Sequence, residues 1–320
     1  MRPRVSVVMS SYNGGSAVIA TLESLTTQTG IDFEIVVVDD GSTDGSGAVL
    51  EAAALADRRI RVVPQENEGL TCALARGCAE AQGEFIARQD VDDQSLPGRL
   101  AKQAGALERE PRLSMVSSWA MAVGPGDEVL WETRRPEDSA EATDRLLHRN
   151  EGPPHHGSVM FRREGYLAVG GYRREFWFAQ DVDLWLRLGG IGGIRYLPEV
   201  LYAYRFSEEG ISSRYRDVQV ELGALARECH TARLSGRSED QLLARAAALR
   251  PSRLPVRYRG GRPAAGAYLI GRCLARKGDR RGIAYLRRAL RLEPWNPRHV
   301  VGFAHGLLLV GARARLRTNA

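Results

Sequence analysis

The amino-acid sequence predicts an α/β protein that begins with a doubly wound sheet and ends in a helical region. Two short β-branched runs, Val5–Met9 and Glu34–Asp39, have the composition of buried parallel strands. Between them, residues 17–28 carry apolar side chains at helical spacing. A strand, a helix and a second strand in this order open a doubly wound α/β sheet.

The alternation of strands and helices continues to about residue 90. The further predicted strands are Arg59–Val63, Glu84–Arg88, Leu113–Val123, Glu128–Glu132, His155–Arg162 and a stretch within Ile194–Tyr204. The further predicted helices are Ser46–Ala56, Leu70–Ala81, Arg99–Glu110 and Asp181–Leu188.

We expect two regions, residues 1–215 and a helical C-terminal region at 216–320. Within the second, Ala264–Lys277 and Asp279–Leu292 are amphipathic patterns joined at Gly278. They resemble one tetratricopeptide helix pair, although a plain helical tail explains the pattern equally well because such repeats need neighbours.

Net charge is +6, and the positive charge concentrates in an Arg-rich C-terminal part. This part indicates either a general preference for arginine or peripheral contact with a membrane surface, and the C-terminal helices could also bind a protein partner. The sparse aromatics argue against a nucleic-acid partner. The sequence contains no apolar stretch long enough for a membrane span, so we expect a cytoplasmic protein, peripheral at most at the inner face of the plasma membrane.

Polar residues follow the first two predicted strands. Ser10, Tyr12 and Asn13 can hold a base and a ribose at the carboxyl end of the first strand, although an ordinary Asn-Gly-Gly turn would look the same. The second strand ends in Asp39 and Asp40, which could bind the same ligand or cap the next helix.

The segment after the fourth predicted strand contains three carboxylates in four residues, Asp90, Asp92 and Asp93. Such carboxylates repel one another unless a cation lies among them. Hard oxygen ligands suit Mg²⁺ or Mn²⁺, which also bind diphosphate oxygens. The alternative is a solvated acidic loop that caps the following helix.

Asp181 opens a predicted amphipathic helix. The helix macrodipole favours an ionised carboxylate at this position, and a general base must be ionised. A plain N-cap is the alternative for Asp181.

Together these segments resemble the family 2 glycosyltransferases, which have the GT-A fold. The resemblance covers about residues 5–213 and rests on VSVVMSSYN, VVVDDGSTDGS, NEGLTCALARGCAEAQGEFIARQDVDD, HHGSVMFRR, GGYRREFWFAQDVDLWLRL and LYAYRFSEEGIS. It implies a GT-A-type mixed sheet with a Rossmann-like nucleotide-binding half.

The resemblance also implies roles for individual residues. Asp181 corresponds to the catalytic base, and Asp92 or Asp93 to the direct ligand of a divalent cation, with Asp92 preferred. The nucleotide-binding positions are Ser10, Tyr12, Asn13, Asp40 and Asp90, and the positions near donor or acceptor are Arg88, His156, Trp177, Gln180, Tyr204 and Arg205. Two departures are Gln180, where the family usually has Glu, and Phe206-Ser207, where a metal-binding His often follows the Tyr-Arg pair.

The expected activity is inverting transfer of a sugar from a UDP-, GDP- or dTDP-sugar to a glycan or lipid-linked acceptor, in cell-envelope or polysaccharide biosynthesis. Mn²⁺ or Mg²⁺ is the expected cofactor. A nucleotidyltransferase is an alternative, but the turn after the first strand lacks the basic residue of a phosphate loop. A non-catalytic scaffold is another, which the intact Asp40, Asp92 and Asp181 disfavour.

Overall fold

The computed structural model describes residues 2–149, 151, 154–206, 216–250 and 263–318. The strands are β1 (Val5–Ser11), β2 (Phe33–Asp39), β3 (Ile60–Pro64), β4 (Phe85–Arg88), β5 (Gln94–Ser95), β6 (Leu113–Val123), β7 (Val129–Thr133), β8 (Met160–Arg162) and β9 (Gly193–Arg205). The helices are α1 (Ala17–Thr26), α2 (Ser46–Ala56), α3 (Leu70–Glu80), α4 (Arg99–Arg109), α5 (Ser139–Leu147), α6 (Arg163–Ala168), α7 (Gln180–Ile191), α8 (Arg216–Leu234), α9 (Asp240–Ala248), α10 (Pro263–Lys277), α11 (Arg281–Leu292) and α12 (Pro297–Thr318).

The strands form one mixed sheet in the order β3-β2-β1-β4-β8-β6-β9-β5, with β7 paired to β6. β1, β2, β3 and β4 run parallel to one another, whereas β8 is antiparallel to β4 and β6. The parallel part is the predicted doubly wound half, and its carboxyl ends lie at one edge of the sheet.

The sheet separates two apolar clusters because successive side chains of a strand point to opposite faces. On β2, Val36 and Val38 belong to one cluster with Leu74 of α3, and Ile35 and Val37 belong to the other. Helices therefore cover both faces, which explains why Ile35–Val38 in the middle of β2 is a continuous apolar run.

The His155–Arg162 segment differs from the predicted strand. It begins with a 3₁₀ turn at His156–Ser158, and β8 starts only at Met160. Gly157 in this turn allows Tyr202 to approach the backbone, since a Cβ atom there would lie 1.9 Å from the hydroxyl oxygen of Tyr202. The structure also contains β5, α5 and α6, which the sequence analysis did not predict.

The chain forms two compact units. The first comprises residues 1–120, 133–204 and 217–254, and the second comprises 121–132, 205–216 and 255–320. These units differ in extent from the regions predicted on either side of residue 215, and that functional boundary stays a prediction.

The first unit includes α8 and α9, joined to α7 by ion pairs. The guanidinium of Arg173 donates to Asp183 on α7 and to Glu239, which precedes α9. Arg187 also donates to Asp183, at 2.6 Å. Asp183 is therefore a buried structural carboxylate.

The second unit contains the β6–β7 turn and three packed helices, α10, α11 and α12. Leu286, Ala275 and Val310 form its apolar centre. The two predicted amphipathic helices are present as α10 and α11, and their packing with α12 agrees with either a repeat-like pair or a plain helical bundle. Among the described residues, no helix is long and apolar enough to cross a membrane.

Candidate functional site

The site lies in the first unit, where β1 and β4 end and the turn before β8 and the start of α7 approach them. The backbone is strained there, because three of the four described non-glycine residues with positive φ lie in this region. Asn13 follows β1, Asp92 follows β4, and Ala179 precedes α7. Such conformations cost of the order of 1–3 kcal/mol each and concentrate at functional sites.

Arg88, the last residue of β4, is fully buried and orients Asp90. Its Nη2 donates to Asp90 Oδ1 at 2.7 Å, and its other guanidinium nitrogens donate to the carbonyls of Val8 and Gln89 and to His156. Burial is the largest single influence and would raise the pKa of the Asp90 carboxyl, but the combined effect of Arg88, the two histidines and Arg99 outweighs it and lowers that pKa.

Arg99 on α4 is a second buried cation in the site. Its guanidinium donates to Gln103, Gln89, Ser95 and the carbonyls of Arg88 and Gly157, so all five N–H groups are satisfied. The guanidinium also lies over the Tyr202 ring, 4.8 Å from its centroid. Burial lowers the pKa of Arg99 to about 10, which still leaves it charged at neutral pH.

Tyr202 on β9 contacts the acidic loop, which comprises residues 90–93. Its hydroxyl donates to Asp93 Oδ2 at 2.8 Å and accepts from the Asp90 backbone N–H at 3.3 Å. Asp93 is buried, so this bond orients its carboxylate.

Three side chains could hold a metal ion. Ligand atoms of Asp90, Asp93 and His155 lie within 4.8 Å of one another. The buried Nδ1 of His155 has no hydrogen-bond partner, which fits a nitrogen reserved for a ligand. Two carboxylates and an imidazole suit Mn²⁺, and the carboxylates alone suit Mg²⁺.

Asp92 is not a member of this group of ligand atoms. Its backbone has φ of +74°, and its N–H donates to Thr21 Oγ1 at 3.0 Å. Its role as the direct metal ligand stays a prediction.

His156 lies beside Arg88 in the site. Its Nε2 accepts from Arg88 Nε at 3.3 Å and lies 2.8 Å from the Tyr172 hydroxyl. Burial lowers the pKa of His156 to about 3, so the imidazole is neutral. Since Nε2 is an acceptor, the proton is assigned to Nδ1.

Asp181 is the second residue of α7 and is partly buried. Burial raises the pKa of its carboxyl, with a smaller contribution in the same direction from the nearby Asp90 charge. This direction is opposite to the one expected from the helix macrodipole, because desolvation outweighs the hydrogen bond from Val182 N–H. An aspartate with a raised pKa close to a charged cluster is a candidate general base.

The predicted nucleotide-binding residues line the loops that follow β1 and β2. The side chain of Tyr12 is 42% exposed. Asn13 Oδ1 accepts from the Thr43 N–H at 2.8 Å, so the two loops are held together. Ser10 is partly buried at the end of β1.

Asp40 is buried and holds the loop before α3. Its carboxylate accepts from Gln65 Nε2 and from the N–H groups of Glu68 and Gly69, at 2.7–2.9 Å. Burial raises the pKa of Asp40 despite these bonds. Its predicted contact with the nucleoside stays a prediction.

The other predicted residues take varied positions. Trp177 is buried against Gly69, with the Arg250 guanidinium 4.7 Å above its ring. Gln180 is buried at the start of α7. Tyr204 stacks on His155 at 4.2 Å between ring centroids.

Arg205 belongs to the second unit. Its guanidinium donates to the Gly124 carbonyl and to Asp127 Oδ1, at 2.9 and 2.7 Å. Its predicted place near the donor stays a prediction. Phe206 packs edge-on against Trp131, and Ser207 lies outside the described residues.

Sequence reasoning missed His155, Arg99 and Tyr202. The His155-His156 pair was a usable signal, but only His156 was selected from it. Arg99 and Tyr202 gave no comparable signal, because the contacts of Arg99 with the Gly157 carbonyl and of Tyr202 with Asp93 join residues 58 and 109 positions apart in the chain.

Comparisons with known proteins find related sequences and a related fold. The family described as glycosyl transferase family 2 matches residues 6–170. The putative glycosyltransferase EpsE of Bacillus subtilis is 32% identical over 221 residues, which cover 66% of this chain and 76% of EpsE. The amylovoran biosynthesis glycosyltransferase AmsE of Erwinia amylovora is 30% identical, over 65% of this chain and 79% of AmsE.

A solved structure has the same fold at low sequence identity. The mannosyltransferase PcManGT of Pyrobaculum calidifontis, in complex with GDP-Man and Mn²⁺, superposes with a TM-score of 0.56 at 18% identity. The alignment covers 98% of this chain and 87% of that one.

Proposed function

Because the chain belongs to glycosyl transferase family 2, we propose that it transfers a sugar from a nucleoside-diphosphate donor to an acceptor hydroxyl with inversion at the anomeric carbon. The chain is a glycosyltransferase with the predicted GT-A fold, which decides against the nucleotidyltransferase alternative. We place its activity in cell-envelope or polysaccharide biosynthesis, which the similarity to the amylovoran biosynthesis glycosyltransferase AmsE supports.

The observation that carries the mechanism is the position of Asp181 beside Asp90 and Arg88, whose charges act on its carboxyl. Asp181 takes the proton from the acceptor hydroxyl as that oxygen bonds to the anomeric carbon. The bond from this carbon to the diphosphate oxygen breaks, and the nucleoside diphosphate leaves with the bonding electrons. One base therefore suffices for a single displacement, typically contributing about 10²–10⁴-fold in rate.

Asp90, Asp93 and His155 are the residues that would hold a divalent cation. Bound there, Mn²⁺ or Mg²⁺ would supply positive charge to the diphosphate as negative charge develops on it. The chain itself contributes the orientation of these ligands: Arg88 fixes Asp90, and Tyr202 fixes Asp93. Tyr12 and Asn13 are proposed to contact the nucleoside, together with Ser10 and Asp40.

A donor screen tests the proposal. The full chain is incubated with UDP-, GDP- and dTDP-sugars, with Mn²⁺, with Mg²⁺ or with a chelator, and release of nucleoside diphosphate is measured. We expect metal-dependent release from one donor class, abolished in Asp181→Asn. Nuclear magnetic resonance of the transferred sugar then gives its anomeric configuration. Donor binding without turnover of any donor, alone or with acceptor extracts, would support the scaffold alternative.

A further inference from the structure

The outer face of α12 is an exposed apolar stripe. Its members are spaced at one, three and four residues and lie on one side of the helix: Val300, Val301, Ala304, Leu307 and Leu308. Leu308 is 71% exposed and Val301 is 67% exposed. Trp295, just before the helix, is 94% exposed. Exposed residues of this size, grouped on one helix, mark an interaction site.

The stripe cannot turn inward, because the opposite face of α12 is closely packed. A Cβ atom on Gly302 would lie 2.3 Å from the Tyr268 ring, and one on Gly306 would lie 2.4 Å from Leu286 Cδ1. Glycines at these positions bring α12 against α10 and α11 and set its rotation. The apolar stripe is therefore a fixed feature of the second unit.

The apolar face of α11 is already used inside the unit. Leu286 and Ala289 are fully buried, whereas its outer face carries arginines. The exposed members of that outer face are Arg281, Arg287, Arg288 and Arg291. The exposed apolar surface of these helices is therefore the stripe of α12. The exposed arginines of α11 belong to the same unit.

Charge identifies the chemistry of the partner. Residues 263–320 contain 12 Lys and Arg against two Asp and Glu, whereas residues 1–262 contain 33 against 37. Arg298 precedes the stripe, and Arg313, Arg315 and Arg317 follow it in the sequence. An apolar stripe between cationic ends, with a tryptophan beside it, is the pattern of a helix that lies in an anionic membrane interface.

We propose that the α12 stripe and Trp295 dock the second unit on the surface of an anionic lipid bilayer. The apolar side chains enter the acyl boundary, and the arginines contact lipid phosphates. A second copy of this chain fits less well, because it presents the same positive charge in this segment and would be repelled. The inference stands independently of the proposed transferase chemistry, since no site residue takes part in it.

Vesicle co-sedimentation of the full chain tests the proposal. We expect binding to equimolar phosphatidylcholine and phosphatidylglycerol vesicles, weakened by salt, and little binding to phosphatidylcholine alone. Val301→Asp with Leu308→Asp should weaken binding more than about tenfold, because the stripe then loses apolar area and gains negative charge. Arg287→Gln with Arg291→Gln should weaken vesicle binding on the order of twentyfold, because each arginine near the membrane surface contributes about fivefold in affinity.

Matched controls come from the first unit. Leu55 is 88% exposed on α2, and Leu55→Asp should leave vesicle binding unchanged. Arg58→Gln with Arg76→Gln removes two exposed arginines there and should have much less effect than the α11 pair. Donor turnover without vesicles should be the same in all these variants, which separates this test from that of the transferase.

Three results would overturn the proposal. They are equal binding to neutral and anionic vesicles, no binding at low salt, and equal loss in the Leu55 and Leu308 variants. Sedimentation velocity gives a fourth: if the stripe variants convert a dimer into a monomer, the stripe is a contact between copies of the chain.

Discussion

Arg88 and Arg99 change the interpretation of the acidic loop at the residue scale. Three carboxylates in four residues appeared to require an external cation, but Arg88 pairs with Asp90 and the Arg99 charge acts on both Asp90 and Asp93. Charge repulsion alone therefore does not demand a metal. The stronger argument is geometric, since ligand atoms of Asp90, Asp93 and His155 converge in the structure, and the buried Nδ1 of His155 has no hydrogen-bond partner.

The first prediction distinguishes two sets of metal ligands. His155→Phe keeps an aromatic ring against Tyr204 and removes the nitrogens, so Mn²⁺ binding in the presence of nucleoside diphosphate should weaken at least tenfold, the lower range seen for disturbed metal sites. Asp92→Asn should weaken it less. Calorimetric titration of Mn²⁺ measures both. The reverse order of effects would favour Asp92 as the ligand, as the sequence predicted.

The second prediction concerns Asp181. Asp181→Asn removes the charge and keeps the shape, so kcat should fall about 10²–10⁴-fold while donor affinity changes little. Steady-state kinetics and donor titration check these two quantities. Retention of more than a tenth of wild-type kcat would assign the base to another residue.

The pH profile follows from the same carboxyl. Burial raises the pKa of Asp181, so the free enzyme loses the ionised base at a higher pH than an exposed aspartate would. The acid limb of kcat/KM should therefore lie above the ordinary aspartate value of about 4. An acid limb at about 4 would contradict the burial of the catalytic carboxyl. The measurement needs a donor that has no titrating group near this pH.

At the element scale, periodicity predicted the parallel half of the sheet well, because β1 and β2 carry long runs of fully buried apolar residues and β3 and β4 are short apolar runs with little charge. The prediction failed where local chemistry was less distinctive. β5 is two residues long, and α5 begins with an Asp138–Glu141 capping interaction that was not used, although Asp138 Oδ1 accepts from Glu141 N at 2.8 Å. Helix α6 follows β8 directly, so no loop separated the two patterns.

Part of the site was predictable because some of its residues lie next to elements that periodicity identifies. Asp90, Asp93 and Asp181 follow strand ends or open a helix, positions that sequence patterns identify. Arg99 lies shortly after the acidic loop in the sequence and Tyr202 lies on β9, but the contacts that both make around this loop appear only in the folded chain. Their role depends on packing between distant segments, which one sequence does not display.

The third prediction concerns the contact between α10 and α11. A Cβ atom on Gly271 would lie 2.8 Å from Leu286 N and 2.9 Å from the Gly282 carbonyl oxygen, and backbone atoms cannot move aside easily. Gly271→Ala should therefore destabilise the second unit by about 1–3 kcal/mol in urea unfolding.

Gly311 provides the matched control for this substitution. It is a helical glycine of α12, and a Cβ atom added to it would have no neighbouring atom within 4 Å. Gly311→Ala should therefore be neutral or stabilise the unit by up to about 1 kcal/mol, because alanine is the better helix former. Equal effects of the two substitutions would show that helix propensity, and not the close approach, governs this unit.

At the scale of the whole molecule, the proposed catalytic site and the proposed membrane-binding surface belong to different units. The residues proposed for sugar transfer, apart from Arg205, belong to the first unit, whereas the exposed stripe belongs to the second. Each unit also has its own apolar centre: the residues of the two clusters around the sheet lie in the first, and Leu286, Ala275 and Val310 lie in the second. Separate centres allow the stability of each unit to be changed by itself.

The fourth prediction follows from these separate centres. Scanning calorimetry should resolve two transitions, because each unit loses its own core on unfolding. Nucleoside diphosphate with Mn²⁺ binds the native first unit and should therefore raise the temperature of one transition. At a ligand concentration a hundredfold above Kd, the free energy of unfolding of that unit increases by about 2.7 kcal/mol. Gly271→Ala should lower the other transition and leave the ligand-sensitive one in place. A single transition that both changes move would mean that the units unfold cooperatively, and the division of the chain into two stability units would be wrong.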